Sequence, residues 1–358
     1  MTPANQRLVC AVMAGGAGTR FWPLSRHATP KQLLRFFGER TLLEATFDRV
    51  APLCPAERRL VVTAAHLAPA VQELLPELAP GAVIGEPVPR NTAPCMAVAA
   101  LAALQIDPES ILVLLPADHW IADAEAFRAA LSLAAERADS GAIVTLGIAP
   151  SHPETGYGYI ELGGEVSAGV RRVERFVEKP NLDLALQYLA GGRHLWNAGV
   201  FVLRADRAWQ ALHQHVPAIT KALAELVGHT PDSSAWVDAF ARCFGACPGI
   251  SIDYGVMEKE SAIEVVRLDA GWSDVGTWQS LAGMRAEGQD NFARGEVVSI
   301  DNRDCVLVSH GPLVAALGLK GIAVIATPDA TLVLPADRSQ DVREVIDELK
   351  RRGRTDLL

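Results

Sequence analysis

Leu8-Val9-Cys10-Ala11-Val12-Met13-Ala14-Gly15-Gly16-Ala17-Gly18-Thr19-Arg20, followed after a short gap by Pro30-Lys31, is the stretch that decides the fold. The apolar run from Leu8 to Met13 reads as a buried strand, and Ala14, Gly15, Gly16, Gly18 and Thr19 form a glycine-rich loop behind it. Glycines let backbone N–H groups approach an anion, and a loop between a parallel strand and a helix aims those donors at a ligand above the sheet. A nucleotide is the expected guest. A P-loop would close on Gly-Lys-Ser/Thr, and a dinucleotide loop would carry Gly-x-Gly-x-x-Gly with an acidic residue about 20 positions later; neither pattern is met. Arg20 instead brings a planar fork of donors and Lys31 a compact point charge. Two cations over one loop suit a triphosphate whose leaving group is pyrophosphate.

Outward from the loop, short apolar runs at Val9–Met13, Leu60–Thr63, Ile111–Leu115 and Ala142–Ile148 alternate with helical patterns at Leu42–Val50, Leu67–Leu78, Ala93–Leu104 and Ala126–Arg137. The alternation predicts βαβ units, hence an α/β, Rossmann-like, mostly parallel sheet sandwiched by helices, with ligands collecting at the carboxyl ends of the strands. Thr41-x-x-Glu44 reads as a capping box, and Asn91 to Pro94 as an N-cap with proline in the first turn. From about Asn291 the texture changes to brief strands at Glu296–Ile300, Cys305–Ser309, Leu313–Leu317, Ile322–Ala326 and Thr331–Leu334, then a helix at Ser339–Arg351. This predicts a large domain over residues 1–288 and a small β-roll ending in a helix over 289–358.

Bulk properties narrow the classes. A chain of 358 residues exceeds the usual single core. A net charge of −9 repels a polyanion, so no nucleic-acid partner is expected and the cations that meet phosphate must be local. No apolar run reaches the ~18 residues of a membrane span, and no secretory n-region and h-region are visible, so a soluble cytoplasmic protein is expected. Cys10, Cys54, Cys95, Cys243, Cys247 and Cys305 are scattered without a second ligand pair for zinc and read as small buried hydrophobes.

Several motifs in order give the chain a family resemblance. Beside the loop stand Phe21-Trp22-Pro23-Leu24-Ser25-Arg26 and Pro30-Lys31-Gln32, Glu86 with Arg90-Asn91-Thr92-Ala93-Pro94, and Leu115-Pro116-Ala117-Asp118-His119. Then come Gly156 to Glu161, Phe176 to Pro180, Leu195 to Gly199, Ser251 to Tyr254 and Gly271 to Gly276. Across nearly the whole chain the sequence resembles the sugar-1-phosphate nucleotidyltransferases and, within them, the bacterial mannose-1-phosphate guanylyltransferases. The resemblance implies the nucleotide-diphospho-sugar transferase fold with a left-handed β-helix-like C-terminal cap that commonly mediates homodimers. It also implies GTP and mannose 1-phosphate as partners, and GDP-mannose and pyrophosphate as products.

Such a transfer gathers negative charge around one phosphorus, and magnesium with a few carboxylates neutralises it. Asp118, just past the strand Ile111–Leu115, and Asp274, in the turn Gly271–Gly276, are the expected Mg²⁺ ligands; Arg20 and Lys31 complete the catalytic set. By resemblance Glu178 accepts hydrogen bonds from sugar hydroxyls, Lys179 approaches the sugar phosphate, and Asn197 and Gly158 are further sugar contacts. The region from Glu86 to Thr92 lies over the base, with Glu86 the acceptor for guanine and Asn91 or Thr92 the donor; Asn91 is equally a helix N-cap. Adjacent strand residues point to opposite faces, so Glu178 and Lys179 share a ligand only if Pro180 ends the strand. The rivals are a sister enzyme using glucose 1-phosphate with dTTP or a heptose 1-phosphate with GTP, and a non-catalytic regulatory paralogue. A bifunctional isomerase needs clustered histidines, and the tail after residue 290 holds only His310.

Overall fold

The computed structural model describes residues 2–16, 18–286 and 288–358; Ala17 of the predicted loop lies outside them. The chain forms two compact units, one of residues 1–15, 46–117 and 121–272, the other of residues 16–45, 118–120 and 273–358.

The first unit is built on strands β1 (Leu8–Ala14), β2 (Arg59–Ala64), β3 (Val83–Glu86), β4 (Ile111–Pro116), β5 (Ile143–Ile148), β6 (Gly158–Ser167), β7 (Val170–Glu178), β8 (His194–Arg204) and β9 (Ile263–Arg267). They make a nine-stranded sheet in the order β3-β2-β1-β4-β8-β5-β9-β7-β6. Around the loop the parallel expectation holds: Val12 of β1 lies opposite Val61 of β2 and Leu115 of β4, and β3 continues the set. Beyond β4 the sheet is mixed. β8 runs antiparallel to both β4 and β5, β9 is parallel to β5, and β7 is antiparallel to β9. For one pair the chain gives the cause: only Ala168 and Gly169 separate β6 from β7, and so short a link joins antiparallel neighbours only. The helix Thr92–Ile106 is buried along Ala93 to Ala103, as its apolar residues on every face require.

In the second unit the predicted capping box is present: Thr41 Oγ1 accepts from the Glu44 N–H at 3.1 Å, and Glu44 Oε2 accepts from the Thr41 N–H at 2.8 Å. Strands β10 (Phe292–Arg294), β11 (Val297–Ile300), β12 (Val306–Ser309), β13 (Val314–Leu317), β14 (Ile322–Ala326) and β15 (Thr331–Pro335) follow. β10, β12 and β14 pair in parallel on one ladder, and β11 and β13 in parallel on another, so successive turns of chain coil as a β-helix does; β15 closes the first ladder antiparallel. A 3₁₀ turn over Ala336–Asp341 delays the last helix to Val342–Arg351. One apolar cluster joins Phe21 and Trp22, just past the loop, to Trp278, Val306, Ile325, Val342 and Ile346.

Candidate active site

The loop residues and both candidate metal ligands of the second unit meet in one cavity of about 360 Å³, lined by Gly18, Arg20, Lys31, Asp118, Asp274 and Arg343 among others. Lys31 organises it. Pro30 starts a 3₁₀ turn at Lys31–Leu33 that buries all but 6% of the lysine surface, and the ammonium donates to Asp118 Oδ2 at 2.9 Å and to the Asp274 carbonyl at 2.5 Å. Burial pushes the Asp118 carboxyl up, but the Lys31 and His119 charges outweigh it and hold it below its ordinary value. Gly18 sits in the left-handed region at φ +59, and a Cβ there would lie 2.4 Å from Lys31 Cβ, so glycine alone lets the loop close over the lysine.

Asp274 is held by its turn. Its Oδ1 accepts from the Gly276 N–H at 3.0 Å, the Val275 N–H donates to Ser273 Oγ at 3.1 Å, and Arg20 donates to the Gly276 carbonyl at 3.4 Å. Val275, fully buried, has φ +45, an outlying backbone for a β-branched residue of the kind that gathers at functional sites. Among the described residues no group of three or more His, Cys, Asp or Glu forms an all-protein metal cage. Two carboxylates on one cavity suit Mg²⁺, which takes one or two protein oxygens and leaves the rest to phosphate and water.

A second set lies in the first unit. Lys179, at φ +48, turns the chain at the end of β7, so its ammonium doubles back to Glu178 Oε1 at 2.5 Å. Both side chains therefore reach one side. Gly158 makes room, since a Cβ there would fall 2.7 Å from Glu178 Oε2. Asn197 is 9% exposed; its carbonyl oxygen accepts from Thr145 Oγ1 at 2.8 Å and the Gly199 N–H at 3.1 Å, and its amide donates to Asp253 Oδ1 at 3.1 Å. Asn197 thus orients Asp253, a residue of the Ser251–Tyr254 motif that has no local cue to its partner. Burial, reinforced by the Glu178 charge, pushes Asp253 up to about 6. The turn Asp253–Met257 is π-helical, a geometry that often marks a functional site.

Glu86 ends β3, 8% exposed, and burial pushes its carboxyl up to about 7. Among the described residues its Oε1 has no hydrogen-bond partner, and Gly15 packs so close that a Cβ would stand 3.3 Å from Oε2. A buried acceptor without a donor has hydrogen-bonding capacity left for N–H groups. Asn91 and Thr92 are engaged in the fold: Asn91 Oδ1 accepts from the Thr92 N–H at 2.8 Å, and Thr92 Oγ1 accepts from the Ile252 N–H at 2.9 Å. Ala14, 1% exposed, ends β1 with its carbonyl bonded to Thr63 Oγ1.

Residues 10–290 match the family model for nucleotidyl transferases. The chain belongs to the nucleotidyl transferase family. Residues 295–349 match a second model, the MannoseP isomerase/GMP-like beta-helix domain, in agreement with the two parallel ladders. Among curated relatives, the xanthan biosynthesis protein XanB of Xanthomonas campestris pv. campestris is 42% identical over 347 residues, covering 96% of this chain and 74% of its own. The mannose-1-phosphate guanylyltransferase of Escherichia coli K12 is 40% identical, covering 98% and 75%. A crystal structure from Thermus thermophilus, described as a mannose-1-phosphate geranyltransferase, superposes with a TM-score of 0.88 at 37% identity, covering 96% of this chain and 99% of that one. As a nucleotidyl transferase, the chain carries the Arg20, Lys31, Asp118 and Asp274 set within the matched region.

Proposed function

We propose that this enzyme transfers GMP from GTP to α-D-mannose 1-phosphate, releasing pyrophosphate and forming GDP-mannose. The observation that carries it is the Lys31 ammonium bridging Asp118 and the Asp274 turn inside the loop cavity, in a chain about 40% identical to a mannose-1-phosphate guanylyltransferase. The attacking sugar phosphate is already ionised at neutral pH, so neither a general base nor a covalent intermediate is required; catalysis is positioning and charge neutralisation. Arg20 and the loop amides hold the β- and γ-phosphates, Lys31 and Lys179 steady the phosphates, and Glu178, Asn197 and the Gly158 backbone receive the sugar. Asp118 and Asp274 would hold Mg²⁺, which supplies Lewis-acid neutralisation of the phosphate charge. Chelation is expected to abolish pyrophosphate release and added magnesium to restore it; full turnover in excess chelator would remove the metal from the account.

Glu86 is assigned to the guanine N1–H and N2 amine, since an ionised carboxylate offers acceptors only. With the carboxyl near 7, protons compete with GTP at low pH, so KM for GTP should rise about tenfold from pH 8 to pH 6. Glu86→Gln should flatten that profile and raise KM. A profile unchanged by the substitution would release Glu86 from base recognition.

The six free cysteines agree with a reducing compartment, and no helix among the described residues is long and apolar enough to cross a membrane. We assign the enzyme to the cytoplasm, where GTP is available, and to a homodimer. Paired β11 and β13 present Val298, Ile300 and Leu317 to solvent on one face, with Leu317 69% exposed, a patch that a second copy would cover. Leu317→Glu should shift a dimeric elution volume to that of a monomer; an unaltered dimer would place the interface elsewhere.

A further inference from the structure

We propose that Arg343, on the C-terminal helix, is a pyrophosphate-binding residue of the transferase site, so that the β-helix segment supplies part of the chemistry. The inference rests on the reading of the loop cavity as the triphosphate site. Arg343 lines that cavity together with Gly18, Arg20, Lys31, Asp118 and Asp274. The two carboxylates of the lining, Asp118 and Asp274, offset the charges of Arg20 and Lys31, and His119 stands on the same wall. A cavity so nearly balanced has little net attraction for a polyanion, and the Arg343 guanidinium adds positive charge on its wall.

The helix is placed for the task. Val342 and Ile346 are buried against Phe21 and Trp22, immediately after the loop, and the preceding turn is pinned by Ser339 Oγ, which accepts from the Gln279 N–H at 3.2 Å. Beyond the helix, Trp22 Nε1 donates to the Leu357 carbonyl at 2.8 Å, so the segment is fastened at both ends. Flanking arginines are occupied, Arg338 by Asp341 and Arg351 and Arg352 by Glu348. Arg343 is exposed to solvent at the cavity wall, where a guanidinium fork meets two phosphate oxygens at once. Negative charge accumulates on the departing pyrophosphate as the α-phosphorus bond breaks, and a cation there lowers the barrier as well as binding the group.

The test uses the full-length protein with Arg343→Ala, Arg343→Lys and, as a control on the same helix, Lys350→Ala. Pyrophosphate binding is measured by calorimetry with magnesium, and KM for pyrophosphate in the reverse reaction with GDP-mannose. Arg343→Ala should raise both Kd and KM for pyrophosphate about 10- to 100-fold, the usual loss for a charge-assisted bond, with KM for mannose 1-phosphate and the thermal midpoint unchanged. Arg343→Lys should recover part of the loss, and Lys350→Ala should match wild type. Unchanged pyrophosphate affinity in Arg343→Ala would overturn the assignment, as would an equal loss toward mannose 1-phosphate with a lowered midpoint. A wild-type protein that binds no pyrophosphate would instead overturn the reading of the cavity itself.

Discussion

Asp274→Asn is expected to lower kcat by about 10³-fold or more while KM for GTP changes by less than about tenfold, because the lost charge matters most when phosphate charge is redistributed. The substitution isolates charge from structure. Asp274 Oδ1 accepts from the Gly276 N–H at 3.0 Å, and an asparagine carbonyl oxygen accepts the same bond, so the turn around the strained Val275 is preserved. The carboxylate is what disappears, and with it one of the two oxygen donors proposed for magnesium. Steady-state pyrophosphate release, with the thermal midpoint as a check on folding, reads the effect. Turnover within a few-fold of wild type would assign Asp274 to the turn alone.

The second large effect is predicted at a residue with no reactive group. Gly18→Ala places a methyl 2.4 Å from Lys31 Cβ and 2.6 Å from its backbone nitrogen, at a φ that L-residues adopt at a cost of about 1–2 kcal/mol. Lys31 is the nearest element that can give way, and its ammonium joins Asp118 to the Asp274 turn. A displacement of about 1 Å in such a set costs about 100-fold in rate. Gly18→Ala should therefore lower kcat about 100-fold. Gly16→Ala should cost far less, because among the described residues, its chain neighbours aside, no atom stands within 4 Å of a Cβ at that position. Equal losses in the two variants would show that loop flexibility, not the placement of Lys31, sets the rate.

What could be read before folding were features carried by neighbours in sequence. The loop, the Thr41–Glu44 box and the C-terminal strands each depend on a few adjacent residues, and the β14 strand Ile322–Ala326 falls where its apolar run ends. The mixed half of the sheet was not legible, because the register of β8 between β4 and β5 is set by tertiary packing and not by its own apolar pattern. Arg343 escaped for the same reason: one arginine on a charged helix is ordinary until Val342 and Ile346 pack it beside Phe21. The Ser251–Tyr254 motif was visible as a string, yet its bond from the Asn197 amide to Asp253 joins residues 56 apart in sequence and is set by tertiary packing. Val275 carries no local cue for positive φ, since β-branched residues avoid it; the turn imposes it.

The most direct test of the account is pyrophosphate release by the purified enzyme with magnesium, crossing GTP, dTTP, UTP and ATP against mannose 1-phosphate and glucose 1-phosphate. The account predicts the highest kcat/KM for GTP with mannose 1-phosphate. A preference for another pair would contradict the specificity while keeping the phosphate chemistry, and silence with every pair would contradict the proposed reaction.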